Sequence, residues 1–590
     1  MTHFEAVDWP YGSYRDIYDF EGGFYRGRIE QPSRTFNVMG GANENGVVIA
    51  ETTMGGIAEL SQYNDGKILD YGSLITATLQ RAVTARDAIS IIYNLTSLYG
   101  YSSTMEGFSI TDGDESWHME LIGRGQYGNG ILYVAIRVPD GYIAAHANQA
   151  RITQYLELCQ DPDWCVASPD NVQFAIDRGY YDGDVNDVSF SFSDTYDPVT
   201  VSGARFCEAR VWYIFANLAN PAHFNPDQYL DYAQGKNLTN LTPSLTYSPT
   251  HSLTHSLTHS FTHSLTHSQG KNLTNRMPLF VPAKSSKISR DEVHSILSSK
   301  YQNSWFDPYV DVGAGAEHSP YRWNGLTWTS SSGNSYLNER VIGTQATAWH
   351  FVAVVNPTAF PPMRALLYFG VDDHTWSPKV PLFGGATNVD ISYDDKNCSS
   401  RLACRQENLL PGSIMEFDWN SAFWVNTAVA KSVYSEMDRA ASIVEAARCS
   451  FEDYLAPLVE SATEKASALF SAGKYDSGVD TLTDLAVRTS KEATKRWKLL
   501  WQQLLVTNAD GCIATSNPDQ LLCGCTKTSA KFSTAWLDKV VADTGDHYAV
   551  PVQCSGYIDP DGHCQEDLKS VYQRNVEKSI SKFDVKGVVH

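Results

Sequence analysis

Apolar positions along the chain follow two rhythms that exchange in blocks. NVMGGANENGVVIAETT (37–53) alternates around Asn45-Gly46, which predicts two short strands and a tight turn. SLITATLQRAVTARDAISIIYNLTSLYG (73–100) has the three- and four-residue spacing of a helix. FSITDGDESWHMELIG (108–123) and ILYVAIRVPDGYIAAHANQ (131–149) each read as a strand pair joined by an Asp/Gly turn. NERVIGTQATAWHFVAVV (338–355), ALLYFGVDD (365–373) and SIMEFDWNSAFWVNTAVA (413–430) are again strand-like. Residues 427–506 return to helical spacing over two long runs, which predicts a helical hairpin. Hairpins and helices in separate blocks point to an α+β protein with antiparallel sheets covered by helices.

One segment breaks both rhythms. Residues 241–275 repeat a Thr-His-Ser-Leu unit carrying His251, His255, His259, His263 and His267, and the heptapeptide QGKNLTN stands at 234–240 and again at 269–275. Removing 35 residues therefore restores a single copy. Ser and Thr at every second position disfavour the helix that would line up the imidazoles, so a low-complexity disordered insert is expected rather than a metal stripe. The divisions that follow are 1–240 and 276–426 as two parts of one core, 427–506 as the helical hairpin, and 507–590 as a Cys-rich tail.

Charge and cysteine content narrow the function classes. At 590 residues, 45 Lys plus Arg stand against 67 Asp plus Glu, a formal charge of -22 that repels phosphate backbones and argues against nucleic acid. No run approaches the length of a membrane span, and the opening MTHFEAVDWPYG lacks a signal pattern. Five of eleven cysteines (Cys512, Cys523, Cys525, Cys554, Cys564) fall in the tail, the pattern of a stapled segment. Cys523 and Cys525 are too close in sequence for the usual zinc spacing. Sequons at Asn94, Asn237, Asn240, Asn272 and Asn397 agree with a glycoprotein on an oxidising route.

SGARFCEARVW (202–212) carries the sharpest chemical question, whether Cys207 is a nucleophile. With Ser202 as N-cap, Ala204, Cys207, Val211, Ile214 and Phe215 recur on one apolar helical face, so Cys207 is expected to pack in a core. Arg205 opposes the helix dipole in the first turn, which leaves two readings open: a residue held there to meet an anion, or an ordinary solvated arginine, the commoner use of that side chain.

Six phrases in order carry a resemblance: GANENGVVIAETTMGG (41–56), DYGSLITATLQRAVTARDAI (70–89), AAHANQARI (144–152), GARFCEARVW (203–212), YRWNGLTW (321–328) and YLNERVIGTQAT (336–347). Together they resemble the dipeptidase family of N-terminal-nucleophile cysteine hydrolases, related to secernins and more distantly to penicillin V acylase and bile-salt hydrolase. The resemblance runs from near residue 15 to about residue 505. It implies a four-layer αββα sandwich in which a processed chain begins with cysteine and its own α-amino group is the general base. It also implies that Asn148 and the turn around Thr53 supply oxyanion donors, and that Arg205 matches the arginine beside the nucleophile in the acylase relatives.

Family members begin with Cys-Thr and soon carry an Asp-Gly turn, neither of which stands in the first residues here. The expectation is a cysteine-type dipeptidase hydrolysing short peptides, inactive as written because the nucleophile lies upstream. Its rivals are a non-catalytic relative that binds or scaffolds, an amidase or acylase on a non-peptide substrate, and, after methionine removal, Thr2 as nucleophile. No metal or organic cofactor is implied, and short peptides are the expected partners, with no nucleic acid or membrane; a homo-oligomer is compatible. A signal in the missing segment would make the protein secreted or lysosomal/vacuolar, and without one it would be cytoplasmic.

Deleting residues 241–275 is expected to leave the melting temperature within a few degrees, because loop closure depends weakly on length. A larger drop in a thermal scan would show that the insert is part of the folded core.

Overall fold

A computed structural model describes residues 3–20, 23–61, 66–236, 276–321, 327–394, 417–522 and 524–549, with the backbone of Tyr557–Ile558 and Cys564–Gln565. The insert at 241–275, the sequons at Asn237, Asn240, Asn272 and Asn397, and Cys523 and Cys554 lie outside the described residues.

The centre is an eight-stranded antiparallel sheet. Its order is His3–Phe4, Val38–Met39, Ala42–Asn43, Val48–Met54, Met105–Thr111, Ser116–Gly123, Ile131–Arg137 and Cys165–Ala167. The turn at Asn45-Gly46 forms as its residues dictate. Asn43 Oδ1 accepts the N–H groups of Asn45 and Val47, both at 3.0 Å, and Gly46 takes φ +90°, where a Cβ would also lie 2.4 Å from Arg364. The alternation beyond the turn then sorts side chains between two cores. Ile49 packs with Phe108 and Ile110 beneath the helices Tyr71–Leu79 and Ala85–Tyr99. Val48, with Met39 and Ala42, packs instead against Leu367 and Phe369.

Leu367 and Phe369 belong to a second antiparallel sheet, Trp349–Val355, Ala365–Val371 and Val380–Phe383. The helices Ala422–Ser435, Met437–Ser471 and Tyr475–Thr507 complete that core through Val425, Val429, Ala440, Phe451, Leu482 and Trp497.

The spacing of the sequence and the structure part in several places, and the strand expected over 338–355 forms only at Trp349–Val355. The single helix expected over 73–100 is two, because Asn43 Nδ2 bonds the carbonyls of Leu79 and Ala82 at 2.7 and 2.8 Å and Thr84 caps the second helix. The strand expected over 413–430 is a helix from Ala422 onward. Its aromatic and β-branched composition reads as strand, but Ala422, Val425, Val429 and Val433 form one buried helical face. Tyr142–Ala144 does not pair with Ile131–Arg137; it pairs with Phe280–Pro282, far along the chain. In the first part of the core, Cys159 and Cys165 form a disulfide that the spacing gave no reason to single out.

Three imidazoles meet at the edge of the second sheet. His350 and His374 have ring centroids 4.1 Å apart, and His294 lies 5.9 Å from His374. His374 Nδ1 meets Ser298 Oγ at 2.8 Å, and His350 Nδ1 meets the Asp372 carbonyl at 3.2 Å. Burial comes first in lowering the pKa of all three histidines; Lys379 follows at His294 and His350, while at His374 the His350 ring comes next and then Lys379, and His294 is brought to about 3. Lys379, pushed down to about 7, donates to the His374 carbonyl at 2.6 Å. The folded state keeps these rings neutral, whereas the unfolded chain protonates them below its ordinary pKa of about 6.5. Stability is therefore full above that pH and falls as the pH drops towards the depressed folded-state values. Thermal unfolding is expected at a lower temperature at pH 5 than at pH 7.5, with a shallower fall in His374→Gln. An unchanged slope in that variant would contradict a neutral cluster.

Candidate active site

The turn at residues 145–152 rests on buried polar groups. Arg151 is buried and pairs with the buried Glu208, Nε to Oε1 at 3.1 Å. Its other nitrogens donate to the carbonyls of Ala145 at 2.9 Å and Pro278 at 3.0 Å. From below, Glu120 accepts the backbone N–H of Arg151 at 2.5 Å and of Ile152 at 3.1 Å. Asp197 accepts from Ala150 N at 2.9 Å, Gln149 Nε2 at 2.8 Å and Gly56 N at 3.0 Å. Burial pushes Asp197 up to about 6 even though these N–H groups pull it back. One carboxylate thus ties the turn to the end of the Val48–Met54 strand.

Asn148 stands at the apex of this turn. Its Nδ2 donates to the Thr53 carbonyl at 2.6 Å, and its Oδ1 accepts from Arg210 Nη2 at 2.7 Å. Because guanidinium only donates, Arg210 fixes which end of the amide is oxygen. One Nδ2 hydrogen goes to Thr53, and the second has no partner among the described residues. Two of the three residues expected at the site, Thr53 and Asn148, therefore meet directly, Thr53 through its backbone. Its side chain turns to Glu51, Oγ1 to Oε2 at 3.5 Å.

The neighbouring strand position carries a second polar group. Thr52 Oγ1 and Ser109 Oγ hold the two nitrogens of His146 at 2.6 and 2.7 Å. Burial first, then His118, 4.7 Å away ring to ring, lowers His146 far below its ordinary pKa, so the ring is neutral. His118 in turn bonds Glu120 at 3.0 Å.

The 202–212 stretch differs from a simple helix. Thr200, not Ser202, is the cap: its side chain accepts from Gly203 N at 3.0 Å. Ala204–Glu208 is a π turn leading into the helix Ala209–Leu218. The extra residue in that turn swings Glu208 inward to Arg151. Cys207 is buried in a core with Val211, Phe215 and Tyr301, and burial raises its thiol pKa while Arg210 opposes that rise. Arg205 meets the anion Glu339 and lies over the Trp305 ring, 5.1 Å from its centroid. Among the described residues it bonds neither Asn148 nor Thr53.

Sequence reasoning passed over Arg210, His146, Asp197 and the Arg151–Glu208 pair. His146 and Arg151 stand inside AAHANQARI and Arg210 inside GARFCEARVW, so the motifs held them without their partners.

The model of peptidase family C69 matches residues 3–449. A probable dipeptidase of Latilactobacillus sakei is 20% identical over 367 residues, 60% of this chain and 60% of that protein, so the chain spans less than two thirds of that relative's length.

Arg151→Met leaves Glu208 charged and unpaired in the interior, and is expected to cost about 3–5 kcal/mol in equilibrium denaturant unfolding. Adding Glu208→Leu is expected to recover part of that loss. A single-variant loss below about 1 kcal/mol would mean that the pair does not hold the turn.

Proposed function

Since the chain belongs to peptidase family C69, we propose that it is a dipeptidase acting by N-terminal-nucleophile cysteine chemistry in a four-layer αββα frame, with the nucleophile supplied from upstream of Met1. The observation that carries this reading is the Asn148 amide, held at both ends by Thr53 and Arg210 with one N–H uncommitted among the described residues. A preorganised donor of this kind favours charge that develops on a carbonyl oxygen during acyl transfer. The name of the Latilactobacillus relative supports peptide as the acyl substrate. The frame is supported by the two packed cores, helices on one face of the large sheet and the small sheet, backed by helices, on the other.

In this mechanism the α-amino group of the terminal cysteine takes the thiol proton as sulfur attacks the peptide carbonyl. The oxyanion forms beside Asn148 Nδ2. The C–N bond then breaks, the ammonium returns the proton to the leaving amine, and a thioester remains. Water, deprotonated by the same amine, attacks the thioester, releases the acid and regenerates the thiol. Nucleophile and base share one residue and need no further alignment. Cys207 is left out of this chemistry because burial raises its pKa and packs it away from solvent. Arg205, paired with Glu339, contributes positive charge beside the same π turn.

The test is hydrolysis of a dipeptide panel by a protein that carries the transcript's own upstream residues and begins, after processing, with cysteine. Asn148→Ala is expected to lower kcat/KM by about 10²–10³ and Arg205→Ala by about a hundredfold, as loss of one preorganised group does. Cys207→Ala is expected to alter stability alone. Loss of turnover in well-folded Cys207→Ala would reverse the assignment. A transcript with no upstream cysteine codon in frame, and no turnover, would favour a non-catalytic binding role.

A further inference from the structure

Three arginines converge where the π turn Ala204–Glu208 meets residues 335–342. Arg205 is paired with Glu339. Arg210 spends Nη2 on Asn148 and Nε on the Phe206 carbonyl, and among the described residues its charge meets no carboxylate. Arg340 follows Glu339 in the chain, and Tyr301 OH donates to its carbonyl at 2.8 Å, which fixes the backbone there. Its exposed side chain makes no hydrogen bond or ion pair among the described residues. Surrounding protein first and then the Arg210 charge lower the Arg340 pKa, with Cys207 opposing.

Among the described residues Glu339 is the one carboxylate that forms an ion pair with any of these three guanidinium groups. The same corner holds unmet polar atoms: Arg205 Nε and both amide atoms of Asn338 are buried without a partner among the described residues. Surplus positive charge beside the unmet donors Arg205 Nε and Asn338 Nδ2 is the environment that a bound anion relieves.

We propose that Arg340, backed by Arg210, is the subsite for the terminal carboxylate of a short peptide substrate. The assignment rests on the dipeptidase reading and supplies its length selection. Arg210 touches Asn148, so an anion held between Arg210 and Arg340 sits close to the carbonyl that Asn148 would polarise. In a dipeptide the carboxylate is one residue from the scissile carbonyl, the spacing that this arrangement selects. A longer peptide presents a neutral amide at that place and leaves the guanidinium pair uncompensated.

The test uses calorimetric titration of the full chain with L-alanyl-L-alanine, its C-terminal amide, and propionate, so that no turnover is required. The acid is expected to bind about tenfold or more tightly than the amide, as a charge-assisted contact provides. Arg340→Gln should bring the acid to the level of the amide with the melting temperature unchanged, and Arg340→Lys should retain part of the preference. Equal binding of acid and amide by the natural sequence, or a preference that survives Arg340→Gln, would overturn the subsite. If neither peptide binds but propionate does, and only with Arg340 present, the carboxylate subsite stands while the dipeptide reading falls. If no carboxylate binds, the subsite itself is wrong.

Discussion

The buried pair of Arg151 and Glu208 is the constraint on which the site depends. A guanidinium and a carboxylate taken out of water cost several kcal/mol each and are held only when the geometry satisfies both. Here it does: Arg151 also donates to the carbonyls of Ala145 and Pro278, tying the Asn148 turn to the segment that follows the insert. The pair therefore fixes more than one contact. It demands the π turn that brings Glu208 inward, and the same turn carries Cys207 into the core and precedes Arg210 by two residues. Break the pair, and Asn148 loses its floor and its orienting partner together.

Orientation of a single amide is the consequence that bears on function. Thr53 reaches Asn148 through a strand carbonyl, so the large sheet sets one anchor; Arg210 comes from the helix after the π turn and sets the other. Asp197 locks the Asn148 turn to the end of that strand by accepting N–H groups from both Gly56 and Ala150. Such a donor needs no rearrangement when negative charge appears, which is the condition for electrostatic catalysis. His146, kept neutral between Thr52 and Ser109, adds polarity on the adjacent strand position without adding charge.

What could be read from the chain alone follows from how local each signal is. Asn45-Gly46 specifies a turn by itself, and Val48 and Ile49 sort to opposite cores because a strand has period two. The long hairpin helices were legible for the same reason, through their spacing. The 413–430 stretch misled because its valines and aromatics favour strands by composition while their four-residue spacing buries a helical face. Thr53 and Asn148 were reached through the resemblance, and their contact spans 95 residues of sequence that periodicity cannot bridge. Arg210 escaped notice because, in an α-helix of about 3.6 residues per turn, positions five apart lie on different faces. The π turn between Arg205 and Arg210 alters that relation, and nothing in SGARFCEARVW announces it. Glu208 and Arg151 stand 57 positions apart, and no local pattern links them before the fold does.

The central claim is that the Asn148 turn is built before any substrate arrives. Amide hydrogen exchange of residues 150–152 in the ligand-free protein tests it most directly, because those N–H groups are the ones given to Asp197 and Glu120. The account predicts exchange as slow as in the strands Met105–Thr111 and Ser116–Gly123, opening only with global unfolding. Fast exchange that slows only when a dipeptide is added would show that the substrate organises the turn, and would contradict it.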